Sequence, residues 1–133
     1  MEIEFDFREE QSRLFGPILR PVAEIVFVNG NKEILESVYV DSGADVSLMP
    51  KSVGDALGFT IEKSDNIIEI KGVGERGIPV VLKKLKMKIG ETFIETRIAW
   101  ALIEEVPLLL GRVDVFNFFD ICFKKNKKTV FTN

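Results

Sequence analysis

Short runs of alternating apolar residues, separated by glycine, asparagine and proline, set the strongest limit on how this chain can fold. Valine, isoleucine and phenylalanine dominate residues 22–28 and 34–40, and the two runs flank Asn29-Gly30-Asn31. Alternation of this kind is typical of strands with one buried face, and an Asn-Gly turn between two such runs is typical of a hairpin. The pattern therefore predicts an all-β domain.

The same signature recurs along most of the chain. It predicts further strands over residues 1–7, 46–49, 67–71, 78–82, 85–89, 93–100, 120–123 and 128–131. The polar stretch 8–17 is expected to be irregular. Residues 51–57, ended by Gly58, predict a short helix, and residues 113–118 a second one. The apolar run 108–110 is expected to be a strand buried on both faces.

Length and composition favour one domain with a real hydrophobic core, since the chain has 133 residues of which 46% are apolar. A net charge of −3 provides no global attraction to nucleic acid or to an anionic membrane. No apolar run approaches the roughly 20 residues that cross a bilayer. We therefore expect a soluble, cytoplasmic protein that binds neither nucleic acid nor membrane.

Cysteine and histidine usage narrows the chemistry. Cys122 is the single cysteine, so an intrachain disulfide is impossible, a reducing compartment is indicated, and the residue is expected in the core. The chain has no histidine, which removes the usual base of a serine or cysteine triad and the usual zinc ligand. We expect no metal and no cofactor, and chemistry that rests on carboxylates, lysines or hydroxyls.

The run from Val38 to Asp45 holds the strongest candidate for that chemistry. An apolar strand ends at Asp41 and is followed by Ser42 and Gly43, small residues that let other groups approach. Asp-Ser-Gly also occurs in ordinary surface turns. Two carboxyl groups held about 3 Å apart can hydrolyse an amide, because one stays protonated while the other ionises. Since the chain has one such loop, the pair would have to form between two copies across a two-fold axis.

Three segments, in this order, resemble the retropepsin-type aspartic proteases. The first is Asp41–Asp45, continued by Val46-Ser47-Leu48-Met49, which matches the Asp-Thr/Ser-Gly-Ala-Asp catalytic loop. The second is Ile70-Lys71-Gly72-Val73-Gly74 with Gly77-Ile78, which is similar to the flap hairpin. The third is Pro107-Leu108-Leu109-Leu110-Gly111-Arg112, which matches the late apolar-apolar-Gly-Arg signature. The resemblance covers roughly Arg20 onward.

This resemblance implies a single-domain, all-β acid protease barrel with a flap hairpin and one or two short helices. Asp41 would be the catalytic carboxylate, Ser42 would brace the pair across the two-fold axis, and Gly43 would let the substrate backbone pass close. Substrate contacts would come from the loop and the flap, at Ala44, Asp45, Gly72, Val73 and Gly74.

The resemblance also implies an ion pair between Asp45 and Arg112. Arg20, from an Arg-Pro dipeptide, would reach Asp45 of a second subunit. The predicted activity is that of a homodimeric aspartic endopeptidase acting on extended polypeptides. A non-catalytic peptide-binding or assembly module on the same fold is the alternative, with Asp41 holding only the turn.

Some features depart from the pattern or compete with it. Residues 1–19 lie outside the resemblance and predict an N-terminal extension of a strand and an irregular segment, before a protease domain over 20–133. Glu75-Arg76 replaces a more glycine-rich flap stretch. The clustered lysines are typical of a solvated strand face and a charged turn rather than a nucleic-acid patch. A glycosidase is disfavoured because Trp100 stands alone.

Overall fold

Strands make up most of the regular structure in residues 1–72 and 76–133, which are the residues that the computed structural model describes. In chain order the elements are β1 (Glu2–Asp6), β2 (Arg8–Ser12), β3 (Gly16–Arg20), β4 (Val22–Asn29), β5 (Lys32–Val40), β6 (Ser47–Met49), α1 (Lys51–Ala56), β7 (Ile67–Ile70), β8 (Ile78–Ile89), β9 (Thr92–Ala101), β10 (Leu109–Leu110), β11 (Asp120–Lys124) and β12 (Lys128–Thr132). The all-β prediction is confirmed.

Six strands close into a barrel. β4, β5, β10, β6, β9 and β8 follow one another in the largest sheet, and β8 also pairs with β4, so the ring is complete. The closing pair is antiparallel and places Phe27 opposite Met87. Closure removes the free edges that these strands would otherwise present. β7 lies outside the ring and pairs with β8 as a hairpin.

Every second side chain of a barrel strand points inward, and these side chains fill the barrel. In β4, Ala23, Ile25 and Phe27 are fully or almost fully buried, whereas Glu24 between them is exposed. Successive side chains of a strand point to opposite faces, so this pattern aims one face of β4 at the interior. The largest fully buried side chains of the described residues are Phe27, Phe131, Ile25, Met49, Leu57, Met87, Ile89, Ile98 and Leu110.

The two ends of the chain meet in a separate sheet. β12 pairs with β1 on one side and with β11 on the other. Phe131 of β12 contacts Phe5 and Phe119 edge to face, at ring-centroid distances of 5.7 and 5.4 Å. The predicted N-terminal strand and the closing hairpin are therefore both present, and they pack together within a single chain.

The N-terminal stretch corrects one prediction. Residues 8–17 are not irregular, because β2 and β3 pair antiparallel and place Glu10 opposite Ile18. Charged residues obscure the alternation in β2, whose sequence is Arg-Glu-Glu-Gln-Ser. The turn of this hairpin is held by the Ser12 hydroxyl, which accepts hydrogen bonds from the backbone N–H groups of Leu14 and Phe15 at 3.2 and 3.3 Å.

The expected helix over residues 113–118 is also wrong, since this segment forms consecutive turns. Asp114 has a φ of 68°, in the left-handed region that interrupts a helix. Its carboxylate accepts hydrogen bonds from the backbone N–H and the guanidinium of Arg97, at distances between 2.7 and 3.0 Å. This contact between distant segments outweighs the local preference for a helix.

Two other predictions differ in detail. Cys122 is exposed on β11 and does not lie in the core. The apolar run 108–110 forms a strand of two residues, in which Leu110 is fully buried and Leu109 only partly. The first helix is present as α1, and Gly58, with a φ of 78°, follows its end. No helix in residues 1–72 or 76–133 is long and apolar enough to span a bilayer.

Candidate active site

Asp41 directly follows β5, a strand of the barrel that lies between β4 and β10. β5 runs parallel to β10, which pairs Val40 with Leu110. One residue further on, the backbone N–H of Asp41 donates to the carbonyl of Leu110 at 3.0 Å. The strand pairing therefore continues to the residue that bears the carboxylate, and Asp41 is half-buried at the start of an open turn.

The turn after Asp41 wraps around its carboxylate. The backbone N–H of Gly43 donates to Oδ1 of Asp41 at 2.9 Å, and the N–H of Ala44 donates to the Asp41 carbonyl at 3.2 Å. A Cβ at position 43 would lie 3.3 Å from that Oδ1. Glycine therefore leaves this face of the carboxylate open. Ser42 and Gly43 are exposed and Ala44 is half-buried.

The turn is bound to the segment that follows β10. The backbone N–H of Arg112 donates to the carbonyl of Ala44 at 3.0 Å, and that of Val113 donates to the carbonyl of Asp45 at 2.8 Å. These bonds continue the connection that starts between Asp41 and Leu110. The first and third of the segments that resemble the retropepsins are thus held together by main-chain hydrogen bonds.

The side chain of Arg112 adds two contacts to the same turn. Its Nη2 lies 2.6 Å from Oδ1 of Asp45, and its Nη1 donates to the carbonyl of Ser42 at 2.8 Å. Both side chains of the ion pair are exposed, by 46% for Arg112 and 82% for Asp45. An ion pair so open to solvent contributes little stability, so its main effect is on the position of the turn.

Arg20 contacts a different acid within the chain. Its Nε lies 3.1 Å from Oε1 of Glu10. The Tyr39 hydroxyl donates to the same carboxylate, with distances of 2.7 and 2.9 Å to its two oxygens, and Arg8 donates to Oε2. The predicted contact from Arg20 to Asp45 of a second subunit stays a prediction.

The charge state of Glu10 follows from these partners. Partial burial favours the protonated form, but the hydrogen bonds from Tyr39 and Arg8 and the charges of Arg8 and Arg20 outweigh it. The pKa of the Glu10 carboxyl therefore lies below its ordinary value. An ionised Glu10 joins β2 to the strand that ends at Asp41.

A cleft of about 540 Å³ opens beside Asp41. Glu10, Arg20, Tyr39 and Leu109 lie among its walls. A larger hollow of about 710 Å³, bordered by Lys84, Arg97 and Asp114, does not include Asp41. Volume alone would favour the larger hollow, but only the smaller one contains the candidate catalytic carboxylate, so we regard the smaller one as the relevant site.

Sequence reasoning missed two residues of this cleft. Tyr39 lies two positions before Asp41 in an extended segment, so both side chains point to the same face, and this spacing could have identified it. Glu10 carried no usable signal, because it reaches the cleft only through the β2–β3 hairpin that the sequence did not predict.

The flap candidates are described only at their base. Ile70 pairs with Ile78 as the last pair of the β7–β8 hairpin before its connecting turn, and Gly72 is exposed. Val73 and Gly74, both predicted to bind substrate, and Glu75 lie outside the described residues. Near the hairpin base is a small apolar cluster formed by Leu48, Val80, Ala99 and Ala101, with Val46, Ile70, Ile78, Val106 and Leu109 packed against it.

Each chain places the Asp41 carboxylate on an open turn beside this cleft, and the cleft's other acidic residue, Glu10, already has Tyr39, Arg8 and Arg20 as partners. Within residues 1–72 and 76–133, no three acidic, cysteine or histidine side chains are grouped closely enough to hold a metal ion. A carboxylate that takes a proton from water needs a second group that donates a proton to the reacting carbonyl. The arrangement can therefore act as one half of a two-carboxylate site.

Comparisons with solved structures identify the fold. The EIAV protease, solved with the inhibitor HBY-793, matches with a TM-score of 0.58 and 22% identity, over 81% of this chain and 93% of that one. A retropepsin-like aspartic protease from Rickettsia conorii matches with a TM-score of 0.65 and 19% identity, over 98% of this chain and 91% of that one. The second match extends into residues 1–19. No protein-family model and no curated protein sequence matches the chain.

Proposed function

We propose that this chain, which has the retropepsin-like aspartic protease fold, is a homodimeric aspartic endopeptidase that hydrolyses peptide bonds in extended polypeptides. The observation that carries the proposal is the position of Asp41. Its half-buried carboxylate starts an open turn that is bound on one side to Leu110 and Arg112. Each chain holds one such turn, so a complete site requires two chains related by a two-fold axis.

In the proposed reaction, the two Asp41 carboxyl groups share one proton. The ionised group accepts a proton from water as the water oxygen attacks the peptide carbonyl carbon, while the protonated group donates to the carbonyl oxygen. The tetrahedral intermediate collapses when the carboxyl that took the proton from water passes it to the amide nitrogen, the other carboxylate takes a proton from a hydroxyl of the intermediate, and the C–N bond breaks. Both carboxyls return to their starting state, and the products are a free acid and a free amine.

The neighbouring residues have positioning roles in this proposal. Ser42 hydrogen-bonds across the two-fold axis, and Gly43 lets the substrate backbone approach the carboxylates. Arg112 positions the turn through the Ser42 carbonyl and the Asp45 carboxylate. Ala44 and Asp45, on the same turn, contact the substrate main chain.

The flap residues Gly72, Val73 and Gly74 cover the bound peptide, which pairs with them as an added strand. The apolar cluster near the flap base is consistent with a preference for apolar side chains beside the scissile bond, because it borders the cleft through Leu109. The proposal includes no cofactor, metal, nucleic acid or membrane partner. It includes a cytoplasmic location, in keeping with a single cysteine.

Cleavage of a disordered protein tests this function. Wild type and Asp41→Asn are incubated with casein, and the peptides are identified by mass spectrometry. We expect cleavage by wild type, competition by a pepstatin-like transition-state mimic, and no cleavage by Asp41→Asn. Asp120→Asn, which changes an exposed aspartate on β11, is the matched control and should cleave like wild type. Equal cleavage by Asp41→Asn would reject the mechanism, and binding without cleavage by wild type would favour the peptide-binding alternative.

A further inference from the structure

The hairpin of β2 and β3, residues 8–20, is an arm that stands apart from both larger sheets. Within the described residues its two strands pair only with each other. An isolated two-stranded hairpin is at best marginally stable in water. One face of the arm, with Glu10, Ile18 and Arg20, is half-buried, whereas the other face, with Leu19, is exposed. The arm therefore has one side that faces the rest of the domain and an open side that faces solvent.

Two large apolar side chains project from the tip of the arm. Leu14 is 86% exposed and Phe15 is 76% exposed. Scattered exposed apolar residues are normal, but two adjacent ones at the end of a hairpin form a patch ready for contact. The Ser12 hydroxyl fixes this turn through the N–H groups of both residues, so the patch is presented in one defined shape.

The base of the arm lies at the candidate active site. The Glu10 carboxylate accepts a hydrogen bond from the Tyr39 hydroxyl at 2.7 Å, and the Arg8 guanidinium lies 5.3 Å from the centre of the Tyr39 ring. Glu10 and Arg20 share the cleft with Asp41. If two Asp41 side chains meet on a two-fold axis, the base of each arm lies beside that axis. β2 continues for two residues beyond Glu10 before the turn that carries Leu14 and Phe15, so the tip lies about 7 Å beyond Glu10.

We propose that each arm clasps a second copy of this chain, burying Leu14 and Phe15 against the partner. The inference rests on the proposed function, because the need for two Asp41 side chains places the partner next to the arm. A two-fold axis gives two identical clasps, one from each copy. Leu19 on the open side of the arm extends the apolar contact. The arm thereby couples assembly of the dimer to the strand that ends at Asp41.

The test compares the dimer dissociation constant of wild type with that of Leu14→Ser combined with Phe15→Ser, by native mass spectrometry over a dilution series. We expect the constant to rise at least tenfold in this double variant. Cleavage of casein per dimer should be unchanged at concentrations that restore the dimer, because neither side chain contacts Asp41. The substituted side chains are exposed, so the fold of each subunit should be retained, as circular dichroism can verify.

Leu35→Ser combined with Phe93→Ser is the matched control. Leu35 and Phe93 are 63% and 58% exposed, and Leu35 precedes Asp41 by six residues of β5, about 20 Å. We expect this variant to dimerise like wild type. A photo-reactive phenylalanine at position 15 gives a second readout, since it should form adducts between isotopically distinguishable copies.

The outcomes separate the two proposals. In one outcome, wild type is dimeric and cleaves through Asp41 while the tip variant keeps the same dissociation constant. This result overturns the proposed role of the arm and leaves the proposed function standing. The arm is likewise overturned if the photo-reactive residue links only to its own chain. Wild type that stays monomeric and cleaves nothing at any concentration overturns the proposed function, and the arm with it.

Discussion

The Ser47 hydroxyl accepts a hydrogen bond from the backbone N–H of Gly111 at 3.0 Å, and Ser47 itself is fully buried. A Cβ at Gly111 would lie 2.5 Å from the backbone carbonyl carbon of Val46. The main chain after the candidate catalytic turn therefore passes directly against the main chain after β10. This contact explains why a hydroxyl residue and a glycine occur in the two segments.

Ser47→Ala should lower the free energy of unfolding by about 1–3 kcal/mol, because it leaves the buried N–H of Gly111 without an acceptor. Urea unfolding followed by circular dichroism measures the change. Ser64→Ala, at an exposed serine in the loop before β7, is the control and should change stability by less than about 0.5 kcal/mol. Equal stability of Ser47→Ala and wild type would mean that the hydrogen bond contributes nothing.

Gly111→Ala should lower the free energy of unfolding by about 1–3 kcal/mol or more, since the new methyl group can be accommodated only if one backbone segment moves. Cleavage should fall as well, because both segments hold the turn that begins at Asp41. Gly72→Ala is the control for stability, as a Cβ at Gly72 meets open space. Thermal unfolding of the two variants measures the difference, and similar melting temperatures would contradict the close approach.

Arg112→Gln should reduce cleavage while leaving the stability of the fold almost unchanged. Its partner Asp45 is largely exposed, so the free energy of unfolding should change by less than about 1 kcal/mol. Cleavage should fall at least tenfold, because the turn loses two contacts and a misplacement of about 1 Å costs on the order of 100-fold in rate. Lys51→Gln removes the exposed ion pair with Asp55 and should leave cleavage unchanged. Full activity of Arg112→Gln would refute the positioning role.

The barrel could be predicted from the sequence because its strands alternate regularly. β4 and β5 were predicted almost to the residue, as were α1 and its end at Gly58. Alternation in these segments is read directly from apolar side chains that point inward. Closure of the ring between Phe27 and Met87 is not visible in local patterns, because it depends on contacts between distant segments.

The missed elements have a common cause. β2 is composed of charged and polar residues, and within it Glu10 binds the hydroxyl of Tyr39, which lies 29 residues away in the sequence. Likewise, the segment after Arg112 turns because Asp114 binds Arg97. Local propensity is a weak guide where ion pairs between distant segments decide the conformation. The contact between Arg112 and the turn that follows Asp41 could therefore be predicted, whereas the position of Glu10 beside this turn could not.

The pKa of the Glu10 carboxyl should depend on the hydrogen bond that it accepts from Tyr39. Hydrogen bonds from Tyr39 and Arg8 and the charges of Arg8 and Arg20 overcome the effect of burial and hold the pKa of Glu10 below its ordinary value of 4.5. Stability from the ionised form is fully present above pH 4.5 and is lost as the pH falls through the lower pKa of the folded state. The arm should therefore loosen from the barrel only in that acidic range.

Tyr39→Phe tests this link, because it removes the hydroxyl and keeps the ring beneath Arg8. The pKa of Glu10 should rise toward 4.5, as measured by NMR titration of its side-chain carboxyl carbon. Glu104, whose pKa is held low by hydrogen bonds from the side chain and backbone N–H of Ser52, is the internal control and should not shift. If Glu10 titrates identically in both proteins, the Tyr39 hydroxyl does not lower the pKa of Glu10, and that lowering must come from Arg8 and Arg20 within the arm itself.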